Sequence, residues 1–223
     1  MQLGKLNSKF LRYLIAKQVS PGEKLPSLND ISTDLGMSVG KLREQLEVTR
    51  SLGLVSVRPR TGIQREPFDF AKVILDSVLF SLETGEATFA HFSQLRLALE
   101  TSFWLEAVAK LTPEDKTHLR VIISRAWAKL KGEPIHVPNG EHRELHLAMF
   151  RRLDNPFVQG LLETYWDAYE ASELTRFSSY QYWLDVWEYH ERIVDALCED
   201  NFDLGRKLLI EHFSLLPSAS GEG

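Results

Sequence analysis

Cysteine is almost missing from this chain of 223 residues: Cys198 is the only one. A lone thiol allows no intrachain disulfide, so a disulfide-stapled secreted scaffold is excluded and a reducing compartment is the expectation. Cys198 follows the apolar run Ile193-Val194-Asp195-Ala196-Leu197 and reads as a packed thiol rather than a nucleophile. Long apolar runs are missing too: no stretch approaches the roughly 18 residues of a membrane span. The start, Met1-Gln2-Leu3-Gly4-Lys5, leads into a mixed run interrupted by Lys17 and not into a signal peptide. A soluble, cytoplasmic protein with no membrane partner is therefore expected. Repeats, low-complexity blocks and heptads are also lacking. Excess positive charge is absent from the total, which is −5 at pH 7.

That total hides an asymmetry. Residues 1–66 hold 11 Lys/Arg and 6 Asp/Glu, whereas the remainder holds 15 and 25. The local charges are thus +5 and −10. A basic part of this kind suits a polyanion, and an acidic part suits another task.

In the basic part, Leu6, Phe10, Leu14 and Ile15 recur at helical spacing, which predicts a first helix over Lys5–Gln18. Pro21-Gly22 ends it. Ser27, with Asp30 three residues on, caps a second helix over Leu28–Leu35 that stops at Gly36. Ser38 caps a third, which runs to about Leu52 and closes at Gly53. Two short extended pieces, Leu54–Arg58 and Gly62–Glu66, flank the turn Pro59-Arg60-Thr61. Three helices followed by an arginine-tipped hairpin form a winged helix-turn-helix layout. Its third helix can put its first turn into a DNA major groove. Ser38, Gly40, Lys41 and Arg43 are the candidate readers. Arg58 and Arg60 on the wing are the candidate phosphate and minor-groove contacts, and Lys24, near Pro26, is a further candidate phosphate contact.

Arg65-Glu66-Pro67 reads as a linker. Domains are expected at 1–66 (winged helix-turn-helix) and 67–216 (all-α antiparallel bundle), with a flexible tail at 217–223. The whole chain is mainly α. Helices are predicted near 68–83, 87–110, 113–131, 139–153, 156–176, 183–199 and 202–216. Thr112-Pro113 and Asn155-Pro156 mark two of the starts.

Several segments together resemble one family. Pro21-Gly22-Glu23-Lys24-Leu25-Pro26-Ser27, Leu35-Gly36-Met37-Ser38, Leu42-Arg43-Glu44-Gln45-Leu46, Gly53-Leu54-Val55 and Arg58-Pro59-Arg60-Thr61-Gly62 are similar to the GntR family of bacterial transcription regulators. The resemblance implies a DNA-contacting mid-helix arginine, retained as Arg43, and a wing glycine, retained as Gly62. Two departures bear on base choice. Val39 stands where the family usually has an arginine, and Asn29 where some relatives use one. Later segments resemble the FadR-C-terminal-domain (FCD) type of effector domain. They are Leu95-Arg96-Leu97-Ala98-Leu99-Glu100, His146-Leu147, Asp154-Asn155-Pro156-Phe157, Tyr189-His190-Glu191-Arg192 and Glu211-His212-Phe213.

Four of the seven histidines carry a metal expectation. His142 and His146 are four residues apart and share a helix face, and His190 and His212 come from later helices. Such a set suits a borderline divalent ion, Zn²⁺ or Ni²⁺. The resemblance implies an Asp and three His as ligands. His146, His190 and His212 match, and His142 replaces the Asp. An all-imidazole set offsets less of the ion's charge. His91, His118 and His136 are expected to be surface or core residues. Arg96, in an apolar helix, can pair with Glu100 at i+4 or anchor a ligand carboxylate. The resemblance favours small organic acids as effectors. The aromatics Trp104, Trp166, Trp183, Trp187, Tyr165, Tyr169 and Tyr189 are expected in the core or a subunit interface, a few of them lining the ligand cavity.

The function that follows is a homodimeric regulator, acting as a repressor on a double-stranded operator and modulated by a metal and a carboxylate effector. It is not expected to be an enzyme. Two alternatives compete. One is a metal-dependent hydrolase with Glu144 or Glu191 as base, although His142-Arg143-Glu144-Leu145-His146 lacks the His-Glu-x-x-His order. The other is a regulator whose pocket holds no metal.

Overall fold

In the computed structural model, residues 5–173 and 178–215 are described. The predicted tail, 217–223, lies outside them, as do residues 174–176 and 216 of the predicted helices. The chain divides into two compact units, Met1–Val73 and Ile74–Gly223.

The first unit contains α1 (Lys9–Ala16), α2 (Leu28–Leu35), α3 (Val39–Ser51) and an antiparallel hairpin of β1 (Val55–Arg58) and β2 (Gly62–Arg65). The serine caps set the helix starts. Ser8, Ser27 and Ser38 accept from the backbone N–H of Leu11, Asp30 and Lys41. The first helix therefore starts at Lys9 and not at Lys5, because Ser8 takes the capping role. Gly36 takes the left-handed conformation (φ 57°) that lets α2 stop and turn within three residues into α3. Phe10, Leu14, Leu25, Ile31, Leu42, Leu46, Val55 and Ile63 form one small core. The segment before α2 also joins the hairpin. Leu25 N–H donates to Ile63 C=O at 2.9 Å, Arg65 N–H donates to Glu23 C=O at 2.9 Å, and Lys24 bridges Gln64.

After the hairpin comes α4 (Phe70–Glu83), which spans the division between the two units. The second unit continues with α5 (Phe89–Ser102), α6 (Trp104–Val108), α7 (Pro113–Leu130), α8 (Asn139–Phe150), α9 (Pro156–Ala171), α10 (Tyr180–Cys198) and α11 (Phe202–Phe213). The single helix predicted over 87–110 is two helices, with the break at Phe103. No Gly or Pro marks it. The break sends Trp104 inward, where it is 1% exposed and its Nε1–H donates to Phe202 C=O at 2.8 Å. Gly205 makes room: a Cβ there would lie 2.9 Å from Trp104 Cζ2. The helix predicted from 183 starts at Tyr180, because Ser179 caps it.

The element pairs in contact set the later site. α10 packs on α7 and α11, α8 on α7 and α9, and α5 on α9 and α11. At the start of α7, Thr112 and Asp115 form a reciprocal capping box. Asp115 also takes a fork from Arg152 at 2.7 and 3.2 Å, which ties α7 to the segment following α8. These bonds hold the Asp115 carboxyl down to about 2. Asp115→Ala leaves an orphaned cap and a freed arginine. It should cost about 2–3 kcal/mol in urea unfolding, and Arg152→Ala less.

Candidate functional sites

In the first unit, Ser38, Gly40, Lys41 and Arg43 lie on the exposed first turns of α3, while Leu42 and Leu46 face inward. No side chain crowds Gly40: a Cβ there would meet nothing within 4 Å. Arg58 and Gly62 face each other across the hairpin, and Arg60 at its tip has φ 66°. Lys24 is brought beside this wing by its bridge to Gln64, which the sequence pattern did not reveal. Arg50 and Lys17 are held by Glu47 and Asp34. By contrast, Lys24, Lys41, Arg43, Arg58 and Arg60 are exposed and form no ion pair among the described residues. Their charge is directed at solvent and free to meet phosphate.

In the second unit, His142 and His146 on α8, His190 on α10 and His212 on α11 meet in one cluster. Each is 0–1% exposed, and one nitrogen from each lies within 4.8 Å of the others. The ring centroids of His190 and His212 are 4.3 Å apart, and those of His142 and His190 4.8 Å. Burial lowers all four imidazoles well below their ordinary value; around His146 the charge on Arg96 adds to this. At neutral pH they therefore present lone pairs, which a metal requires.

Half of the cluster's ring nitrogens also lack other work. Both nitrogens of His142, and Nδ1 of His190 and of His212, have no hydrogen-bond partner. His146 Nε2 and His190 Nε2 face each other at 3.1 Å. Two neutral Nε2 atoms at that distance need a hydrogen or a cation between them. Glu100 lies within 3.1 Å of His146 Nδ1, an arrangement that fixes the ring and leaves Nε2 toward the cluster. The residues present thus fit a borderline divalent ion. The i+4 spacing pairs Glu100 with Arg96 but gives no sign of its place behind His146.

Arg96 is buried beside the cluster. Its Nε donates to Glu100 Oε1 at 2.7 Å, and its Nη2 lies 2.9 Å from His146. Its guanidinium stands about 4.5–4.7 Å from the Tyr165, Trp166 and Phe213 ring centres. Burial alone would lower the guanidinium, but Glu100 and Tyr165 outweigh it and hold the group above its ordinary value. Burial pushes the Glu100 carboxyl up, against the pull of Arg96. One edge of Arg96 thus holds Glu100, and Nη1 is left without a partner.

The other histidines stand apart. His91 accepts from Thr88 N–H at the cap of α5, His118 sits 3.2 Å from Glu144, and His136 is exposed. The carboxylates considered as hydrolytic bases are also elsewhere. Glu144 pairs with Arg125, and Glu191 accepts from Trp127 Nε1–H. Cys198 is half-buried and accepts from Arg120 Nε at 3.1 Å. An open groove of about 710 Å³, lined in part by His118, Arg143, Glu144 and Arg151, contains none of the clustered histidines.

The FCD domain family matches residues 91–215, more than half of the chain and every residue of the cluster. The chain belongs to the FCD family. The HTH-type transcriptional regulator YieP of Escherichia coli is 24% identical over 209 residues, covering 91% of this chain and 88% of that protein. A proposed L-lactate dehydrogenase operon regulatory protein of the same species is 23% identical, covering 90% and 79%. A GntR protein of Streptococcus agalactiae has the same fold, with a TM-score of 0.68 at 19% identity over 93% of this chain and 94% of that one. This FCD protein is a transcriptional regulator of the GntR type. No helix among its described residues is long and apolar enough to cross a membrane.

Proposed function

We propose that this FCD regulator binds a palindromic operator as a homodimer and acts as a repressor. Its helical domain, residues 67–216, would take up a divalent metal and a small organic acid that changes operator affinity. The observation that carries the sensing half is the convergence of His142, His146, His190 and His212 beside Arg96. A bound Zn²⁺ or Ni²⁺ would supply a Lewis-acid anchor for a carboxylate. The chain's own residues do the rest. The four imidazoles hold the ion, Glu100 orients His146, and the unused edge of Arg96 receives a carboxylate oxygen. One relative's name connects it to lactate metabolism, which agrees with an organic acid as effector.

The reading half rests on the exposed Lys41 and Arg43 of α3 and the unpaired arginines of the wing, residues of the domain over 1–66. Dimerisation through the helical part draws support from α4. Lys72, Asp76 and Glu83 make one narrow stripe on this helix, and most of its remaining surface is apolar. Yet only Ala71 is buried, and Phe80 is 64% exposed. A helix so apolar needs cover, and a second copy presents the same surface. The two readers of such a dimer could then address two half-sites.

A gel-shift titration with DNA from upstream of the protein's own gene tests the proposal, at several salt concentrations and with and without chelator. Arg43→Ala should weaken binding by about 1–3 kcal/mol and relax base preference at one position. Arg58→Ala and Arg60→Ala should weaken all sequences alike and lower the salt slope by about one each. Binding that shows no sequence preference, or that ignores metal and acid alike, would sink the proposal.

A further inference from the structure

The chain has five tryptophans, and their indole N–H groups divide into two sets. Outside the histidine cluster the fold supplies acceptors: Phe202 C=O for Trp104, and Glu191 for Trp127. Around the cluster no such bond is made among the described residues. Trp166, Trp183 and Trp187 are 0–1% exposed, and each Nε1–H lacks a partner. Their ring centres lie 4.6, 6.1 and 6.2 Å from that of His142. The buried Tyr182 hydroxyl, on the residue next to Trp183, also has no partner, and neither does Arg96 Nη1.

Buried donors without acceptors are rare, and three indoles around His142, with Arg96 against Trp166 and Tyr182 against Trp183, call for a common acceptor. Each of the five can donate. A water molecule accepts at most two of these hydrogens and brings two of its own. A carboxylate offers about four acceptor positions and no hydrogen. We propose that Trp166, Trp183, Trp187 and Tyr182 form a second anchoring point for the effector, which receives a second carboxylate. The effector class is then a short dicarboxylate, and neither an alkyl monoacid nor an amino acid. This rests on the organic-acid reading above and deepens it. The charges agree: a divalent ion, Arg96 and Glu100 together leave two positive charges, and four imidazoles add no negative one. An ammonium at the second end would face N–H and O–H groups alone, and a methyl would leave them all unpaired.

Three acids of the same chain length separate the possibilities. Calorimetric titration of the full-length, Zn²⁺-loaded protein uses succinate, butyrate and 4-aminobutyrate at constant ionic strength. Succinate should bind at least about 10-fold tighter than butyrate, and 4-aminobutyrate more weakly than either. The double variant Trp183→Phe/Trp187→Phe keeps the rings and removes two donors, and Tyr182→Phe removes one hydroxyl. Each should narrow the succinate advantage while leaving butyrate binding in place. The wild-type series and Tyr182→Phe stand alone if the double variant does not fold. Equal binding of succinate and butyrate, or an advantage that survives every variant, would overturn the second anchoring point while leaving a carboxylate effector intact. Failure of all three acids to bind would overturn the organic-acid reading itself.

Discussion

His190→Ala should lower metal affinity by more than about 100-fold, beyond what loss of an outer-shell group usually costs. His190 sits centrally: its ring lies 4.3, 4.8 and 5.1 Å from those of His212, His142 and His146. On the proposed function its removal would leave three ligands, each about 1% exposed. His118→Ala is the control, because that ring is exposed and pairs with Glu144. Glu100→Gln should fall between the two, at about 10–100-fold, because it keeps the shape but weakens the support behind His146. Dialysis against Zn²⁺ followed by elemental analysis reads all three. Equal metal content in wild type and His190→Ala would remove the cluster from consideration as the metal centre.

Metal removal and pH should act together on stability. Binding that is confined to the folded state adds about 4 kcal/mol when the ion stands at 1,000 times its dissociation constant. For a chain of this size that is about 8–16 °C in melting temperature, lost on adding chelator. The stripped protein should then be sensitive to acid. All four histidines are pushed well below 6.5 by burial, so the unfolded chain binds protons that the folded chain refuses. Stability is therefore full above about pH 6.5 and falls as pH drops below it, by up to about 1.4 kcal/mol per histidine per pH unit. Melting curves of the chelated protein from pH 8 to pH 5 measure the slope. A flat profile across that range would mean that the cluster is open to water in solution.

What the sequence reveals of this molecule follows the range of the interactions involved. Ser27, Ser38, Gly36 and the Thr112-Pro113 start act within a few residues, and the helices begin and end where these signals place them. Ser8 acts by the same rule, but an apolar residue before it, Leu6, drew the expected start of α1 too early. The break at Phe103 has no local cause; it serves Trp104, whose partner Phe202 is 98 residues away. The histidines were legible because two share a helix face and the rest matched a family pattern. Glu100 behind His146 was not, because 46 residues separate them and they meet only once α5 and α8 both pack on α9. The unpartnered indoles were invisible for the same reason. An indole's lack of an acceptor is a property of the assembled core, and nothing within ten residues of Trp183 encodes it.

On the proposed function, the burial of the histidine cluster also sets a timescale. A ligand cannot diffuse straight onto four imidazoles that are 0–1% exposed; the helices around them must first separate. Entry and exit are then limited by how often that opening occurs, and uptake should level off as ligand concentration rises. A sensor built this way has a memory. It holds its state through brief fluctuations in the surrounding pool and responds to a sustained change, with a delay fixed by the packing of the core.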